Sequence, residues 1–353
     1  MVVGLWAALA LGAQASEAID RIAFGSCLRQ QEPQPIWNAI VATRPDIFLF
    51  IGDNIYADTE NLRVMREQYA QLGAQPGYQR LRASCPVHAT WDDHDYGAND
   101  AGAEYPMRAA SKSAFLEFFE FPADSEVRTR PGVYGAHVYG PRGRRVQIIL
   151  LDTRYFRSPL KRGPLTPTCP RVRYLANEDP EATLLGEDQW LWLEEQMRQP
   201  AELRILASSI QVIPDQHCFE KWGNFPRERE RLFRLVRHTR ANGVVLISGD
   251  RHFGDISHLD PHGVGYPLYE ITSSGMNSAC AGCVEANPYR AIGGSFHGDN
   301  FGLIKVARAA PSPRLRLEIR AADGKVVRHV ELPLEALRRT AQLPAHQQEA
   351  PRP

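Results

Sequence analysis

The chain lacks any surplus of charge: its 41 Lys and Arg are matched by 41 Asp and Glu. Without a net field there is no long-range pull toward nucleic acid or an anionic membrane, so selectivity for anions must be built locally. Also missing is a run of about twenty apolar residues, the length a membrane-spanning helix needs, so no transmembrane anchor is expected. No Gly-x-Ser-x-Gly segment occurs, which removes the strained strand-to-helix turn that presents a nucleophilic serine. Neither an internal repeat nor a clear linker interrupts residues 20–335, which are read as one domain.

What is present begins with Met1 to Ala15, almost entirely apolar and closing on Ala13-Gln14-Ala15. That small-x-small ending fits a secretory cleavage site, with residues 1–15 as signal peptide and the mature chain starting near Ser16. The segment carries no Lys or Arg, and a buried N-terminal helix is the competing reading. Export, to the periplasm or the exterior, is the expectation. In an exported chain the six cysteines suggest disulfides. Cys280 and Cys283 are spaced to close a small loop, and Cys169 with Cys218 to join two long ones, but spacing alone leaves the pairing open. No second ligand pair at zinc-finger spacing accompanies Cys280 and Cys283. The Pro-, Gln- and Ala-rich residues 342–353 read as a disordered tail.

Three apolar runs carry the chemistry. Ile47 to Ile51 is unbroken, stops at Gly52 and is followed at once by Asp53. Val87 to Trp91 leads into Asp92-Asp93-His94-Asp95, and Val244 to Gly249 leads into Asp250-Arg251-His252. Such runs read as strands buried on both faces, and open α/β sheets bind their ligands at the carboxyl ends of those strands. Carboxylates and imidazoles gathered at one sheet edge describe a polynuclear metal site. Tyr56, three residues beyond Asp53, can turn toward the same ion, and a phenolate suits a hard Lewis acid such as Fe(III). Away from Gly-Asp-x-x-Tyr, such a tyrosine is more often a packed aromatic.

Further strands are expected at 21–24, 133–139, 145–152, 203–209, 302–308, 313–320 and 325–332, with Asp323-Gly324 as a hairpin turn. Helices are expected at 35–42, 60–73, 107–120, 186–198 and 226–240. The stretches 158–182 and 276–300 lack periodicity and read as long loops near the site. His217, His258, His262 and His297 fall in expected loops, where a surface histidine is commoner than a ligand.

Gly25-Ser26-Cys27, Gly52-Asp53-Asn54-Ile55-Tyr56, Trp91-Asp92-Asp93-His94-Asp95, Leu151-Asp152-Thr153-Arg154 and Ser248-Gly249-Asp250-Arg251-His252 occur in this order. Together they resemble the alkaline phosphatase D (PhoD-like) family of metallophosphoesterases, cousins of the purple acid phosphatases. The resemblance spans residue 22 to about 305. It implies a four-layer α/β/β/α sandwich and a phosphate mono- or diester as substrate. It also implies a dinuclear or polynuclear metal centre of Fe(III) with Ca2+, or with another divalent ion such as Zn2+ or Mn2+.

Residue by residue, Cys27 resembles the thiolate ligand of the iron, Asp53 the bridging carboxylate and Tyr56 the phenolate ligand. His252 is implied to complete that ion's shell, with Asp93 and Asp250 serving the second metal. His94 takes the position that faces the leaving group. Asn99 is implied to bind calcium or a phosphate oxygen. Arg154 matches a family arginine, with a salt bridge to Asp152 or Asp179 as the equal alternative. Assigning Cys27 to metal leaves five cysteines, so one, Cys85 by expectation, is a free buried thiol.

The sequence departs from the family pattern twice. Well-known members carry a β domain before Gly-Ser-Cys, and many read Asp-Asp-His-Glu where this chain has Asp95. The expected chemistry is direct in-line attack by metal-bound hydroxide, with His94 assisting the leaving alcohol. A phosphodiesterase acting on phospholipids or teichoic-acid-like polymers is the alternative within that chemistry. A non-catalytic metal- or phosphate-binding protein is the alternative outside it.

Overall fold

The strand Ile47–Ile51 has side chains that alternate between two faces, and all five residues are buried. Ile47, Leu49 and Ile51 join one hydrophobic core while Phe48 and Phe50 join another. A sheet covered on both sides needs apolar residues at every position, which is why the run is continuous rather than alternating.

The computed structural model describes residues 17–283, 285–309 and 312–339. The expected signal peptide at 1–15 and the expected tail at 342–353 lie outside the described residues. The strands are β1 (Arg21–Gly25), β2 (Ile47–Ile51), β3 (Val87–Thr90), β4 (Gly135–Tyr139), β5 (Val146–Leu150), β6 (Lys161–Arg162) and β7 (Tyr174–Leu175). They continue as β8 (Leu203–Ala207), β9 (Val244–Ser248), β10 (Gly254–Leu259), β11 (Leu268–Ser273), β12 (Asn300–Ala307), β13 (Arg314–Ala321) and β14 (Val326–Pro333). The helices are α1 (Ile36–Ala42), α2 (Leu62–Gly73), α3 (Pro76–Ser84), α4 (Asp93–Tyr96), α5 (Arg108–Phe118), α6 (Gly186–Arg198) and α7 (Pro226–Thr239).

Two six-stranded sheets form, in the orders β14-β13-β12-β1-β2-β3 and β10-β11-β9-β8-β5-β4. Strands β1, β2 and β3 are parallel, as are β5, β8, β9 and β11, while the outer strands run antiparallel. The core between the sheets joins Ile22, Phe24 and Leu49 of the first to Ile148, Ile205 and Val245 of the second. Outside the first sheet, Trp37 of α1, Tyr69 of α2, Tyr78 of α3 and Phe115 of α5 cover Phe48 and Phe50. Outside the second, α6 and α7 contribute Trp190, Leu193, Met197, Leu232 and Val236. The result is the four-layer α/β/β/α arrangement.

Helix α3 and strands β10 and β11 were not expected from sequence. The stretch 158–182 holds only the two-residue pair β6–β7 and is otherwise loop, while 276–300 is loop with isolated bridges up to the start of β12. Disulfides join Cys169 to Cys218 and Cys280 to Cys283, and Cys27 and Cys85 are free and buried.

Candidate metal centre

The carboxyl ends of the parallel strands converge on one place. β1 delivers Cys27, β2 delivers Asp53, β3 delivers Asp92 and Asp93, β5 delivers Arg154, and β9 delivers Asp250 and His252. The loops are laced together: Leu28 N–H donates to the Asp53 carbonyl at 2.9 Å, and Ser209 Oγ, beyond β8, donates to Asp92 Oδ1 at 2.6 Å. Backbone strain concentrates here. Cys27 (φ 58°), Asp53 (φ 49°), Asp250 (φ 65°) and His252 (φ 57°) all sit in the left-handed region that non-glycine residues seldom occupy. Gly52 is required on two counts, since its φ is +109° and a Cβ there would stand 2.5 Å from Asp92 Cβ.

One group of donors surrounds Asp53 Oδ2. Cys27 Sγ and Tyr56 Oη each lie 3.2 Å from it, and His252 Nε2 is 3.4 Å from Tyr56 Oη. His252 Nδ1 is engaged by the Ser278 carbonyl at 2.6 Å, which turns Nε2 toward the cluster. Ser274 Oγ is 3.1 Å from Cys27 Sγ and accepts the His252 backbone N–H at 2.6 Å, holding both residues. Cys27, Asp53 and His252 each offer a donor atom within 4.8 Å of the others, and so do Asp53, Asp93 and His94. Asp53 is common to both groups.

The electrostatics suit a cation. Asp53 Oδ1 is buried without a hydrogen-bond partner. Burial, and then the charge of Asp93, raises the Asp53 carboxyl well above its ordinary range. Burial, and then Asp53, pushes the Cys27 thiol up, and burial followed by Cys27 does the same to the Tyr56 phenol. Desolvation and mutual repulsion oppose the charged forms of all three acidic groups, and the nearby His94 does not offset this at Asp53; a bound ion would reverse both effects. The thiol, phenol, carboxylate and imidazole donors therefore fit a metal ion. Asp93 differs: burial opposes its charge, but Arg154 and His94 outweigh that and hold the carboxyl below the usual range.

His94 stacks on Tyr56 with ring centroids 4.2 Å apart, and its Nδ1 is 2.7 Å from Asp58 Oδ2. Burial alone would lower its pKa, yet Asp93, Asp53 and Asp58 together lift it to about 11. Asp95 closes the first turn of α4 as a capping box with Asp92, accepting the Asp92 backbone N–H at 2.7 Å and the Asn54 side-chain N–H at 2.5 Å. The short carboxylate in place of Glu has this structural task.

Arg154 is corrected. Its side chain is fully buried and forks between Asp92 and Glu220 Oε2, the latter at 2.5 Å, with Asp93 Oδ1 at 3.9 Å. A guanidinium held beneath the cluster in this way is not presented to substrate, and neither Asp152 nor Asp179 is its salt-bridge partner. Asn99 is exposed and makes no hydrogen bond to the cluster, although the backbone N–H of Asp100 donates to Asp93 Oδ2 at 2.7 Å. Asp250 stands outside both donor groups, its Oδ2 3.2 Å from Arg251 Nη1. His217 is buried rather than on the surface, whereas His258 and His262 are exposed and His297 is half-buried. Asp58, Glu220 and Ser274 were missed from sequence. Ser274 follows a strand, β11, and the apolar-then-small-polar ending Ile271-Thr272-Ser273-Ser274-Gly275 is the signal that would have found it.

Two face-to-face sheets, with strand ends that gather metal donors around one shared aspartate, define a metallophosphoesterase-like α/β sandwich. Residues 22–292 match the PhoD-like phosphatase family, and the chain belongs to that family. Alkaline phosphatase D of Bacillus subtilis (strain 168) is 25% identical, over 67% of this chain and 46% of that protein, so the chain spans less than half of that relative's length. The solved structure of PhoD is similar with a TM-score of 0.68 at 19% identity, covering 90% of this chain and 69% of PhoD. GAP50, the anchor in the inner membrane complex of Plasmodium, is similar with a TM-score of 0.55 at 10% identity, covering 90% and 89%. At these identities the two structural likenesses speak for the fold alone.

Proposed function

We propose that the chain is an exported, metal-dependent phosphoesterase that hydrolyses phosphate mono- or diesters. The observation that carries this reading is the position of Asp53, common to a Cys27/His252 group and an Asp93/His94 group. Cys27, Asp53, Tyr56 and His252 would hold one ion, and their thiol and phenol favour Fe(III). Asp53 and Asp93, with Asp250 nearby, would hold Ca2+ or another divalent ion such as Zn2+ or Mn2+. When bound, such a pair supplies neutralisation of phosphate oxygens and an acidified water.

The protein's own groups do the rest. Asp58 fixes His94 through Nδ1, leaving Nε2 to give a proton to the departing alcohol. Arg154 ties Asp92 and Glu220 together beneath the site, and Ser274 orients Cys27 and His252. Export is supported by the apolar N-terminus and by two disulfides, which persist in oxidising compartments. Among the described residues no helix is long and apolar enough to cross a membrane.

p-Nitrophenyl phosphate and bis-p-nitrophenyl phosphate, each with and without chelator, test the reading. Chelator-sensitive hydrolysis of either supports it. Hydrolysis of neither by the metal-loaded protein would leave the non-catalytic phosphate-binding alternative. The metal assignment has its own test: Fe(III) on Tyr56 and Cys27 gives a visible charge-transfer band that Tyr56→Phe shifts or removes. A colourless, fully active protein would exclude iron.

A further inference from the structure

Beside the metal centre lies a cavity of about 680 Å³, walled by both disulfides and by Val172, His217 and Phe219. It is joined to the centre by two short links. The Arg251 guanidinium lies 3.9 Å over the Phe219 ring and connects Asp250 to Glu285. The backbone N–H of Cys280, on the cavity wall, donates to the His252 carbonyl at 2.8 Å. The wall therefore touches His252 directly and reaches Asp250 through Arg251.

His217 is the unexplained group. Its side chain is 2% exposed, and neither ring nitrogen has a hydrogen-bond partner; the nearest carboxylate, Glu285, is 3.8 Å away, too far for one. Leaving a buried polar group unpaired costs on the order of 1–3 kcal/mol, so such a group persists where something else pairs with it. Burial, with Arg251 and Lys221 nearby, keeps the imidazole neutral, and a neutral imidazole offers one donor and one acceptor. The charges of Arg251 and Glu285 are spent on each other. What remains is a largely apolar chamber with Thr168, Arg171 and Gln216 also on its wall, and with His217 as the buried two-way hydrogen-bonding group that nothing in the protein pairs.

We infer that this cavity is the subsite for the organic group of the phosphate ester, and that it takes a largely apolar group bearing hydrogen-bonding atoms. This rests on the phosphoesterase reading above. His217 is a specificity-determining residue that pairs with the substrate's organic part, and Val172 sets the room available. The substrate class is accordingly an organic phosphodiester with one bulky ester group that carries hydrogen-bonding atoms, in preference to a small alkyl ester.

The test compares two diesters with the same leaving group: the p-nitrophenyl ester of thymidine 5′-phosphate and methyl p-nitrophenyl phosphate. The metal-loaded enzyme is expected to prefer the thymidine ester by at least about tenfold in kcat/KM. Val172→Trp, which fills the chamber, and His217→Ala should each remove about tenfold of that preference through KM, with the methyl ester unaffected. A second arm needs no turnover: free thymidine at millimolar concentration should shift the His217 imidazole resonances, and Val172→Trp should abolish the shift. Hydrolysis of both esters without discrimination, or equal losses on both in the variants, overturns the inference while the phosphoesterase reading stands. Hydrolysis of neither ester together with a thymidine-induced shift overturns that reading and keeps the subsite. No hydrolysis and no shift overturns both.

Discussion

Asp53 and Glu318 are both carboxylates of the first sheet, and each is 1% exposed. Around Glu318, on β13, stand Lys305 at 3.2 Å, Arg316 at 2.6 Å and Arg320 at 2.7 Å. Burial would raise its pKa, but these cations outweigh that and hold it below the usual range. Around Asp53 stand a thiol, a phenol, a second carboxylate and one imidazole, His94, which does not offset burial and the carboxylate, and one of its oxygens has no partner. A structural carboxylate brings its countercharge in the same chain; a site carboxylate is left short of it. The deficit of positive charge, more than burial, separates the two.

The strongest way to break this comparison is Asp53→Asn. Activity should fall to the background of the uncatalysed reaction, and bound metal should be lost from both positions, as elemental analysis would read. In chelator-treated protein the same change should stabilise the fold by about 1–2 kcal/mol, because a carboxyl whose charged form burial and Asp93 oppose is replaced by a neutral amide. A destabilised metal-free Asn variant would refute the claim that Asp53 awaits an external cation.

His94→Ala should produce the next largest effect. If His94 donates a proton, the rate should fall by about 10²–10⁴ for esters of poor alkoxide leaving groups and by less for nitrophenyl esters, with metal content near wild type. Equal losses on both, or depletion of one metal, would make His94 a ligand, a role its place beside Asp53 and Asp93 also permits.

Glu318→Gln should act in the opposite sense from the metal-free Asp53 variant. It strands three cations that are between a sixth and a third exposed, so solvent screening limits the loss to about 1–2 kcal/mol, read as a lowered urea midpoint. Activity should be unchanged. A neutral effect on stability would mean that the ring of cations is held by solvent and not by Glu318.

Much of this was legible in sequence because the inner strands are buried on both faces and announce themselves as apolar runs. β2 and β9 each end in the residues that the site uses, and chain order alone placed Asp53, Asp93 and His252 at strand ends. The helix face Leu185, Trp190, Leu193 and Met197 is buried as its spacing predicts. β10 and β11 were less legible, because Asp255, Ser257 and Glu270 interrupt their apolar pattern while being buried. Those polar groups are paired by residues distant in sequence: Glu270 accepts from the backbone of Val212 at 3.0 Å, and Asp255 from Arg290 at 2.9 Å. The same holds for Arg154, whose partners Asp92 and Glu220 lie 62 and 66 residues away. A motif can name an arginine, but only the tertiary fold decides whether it faces substrate or supports the floor.

The desolvation that raises Asp53 works on bases in the reverse direction, and one pair lets the effect be isolated away from the metal centre. His88 on β3 and His137 on β4, the edge strands of the two sheets, stack with centroids 3.5 Å apart, and His88 Nε2 is 2.6 Å from Tyr139 Oη. Burial, and then His137, lowers the His88 pKa from 6.5 to about 3, and burial lowers that of His137 from 6.5 to about 4. Both values are depressed on folding, so between pH 6.5 and about 4 the unfolded chain binds more protons than the folded one. Stability therefore rises with pH across that window: the contribution is full above about 6.5 and is lost as the pH falls toward the folded values. His137→Phe keeps a ring in the stack and removes one titration. Its urea midpoints, measured from pH 7 to 4, should fall less steeply than those of the wild type. The difference should be of order 1 kcal/mol over the window, well below the unscreened slope of about 1.4 kcal/mol per pH unit per proton. Parallel curves for the two proteins would show that the stacked pair is solvated well enough to protonate in place, and the contrast with Asp53 would then reflect the carboxylates' mutual repulsion alone.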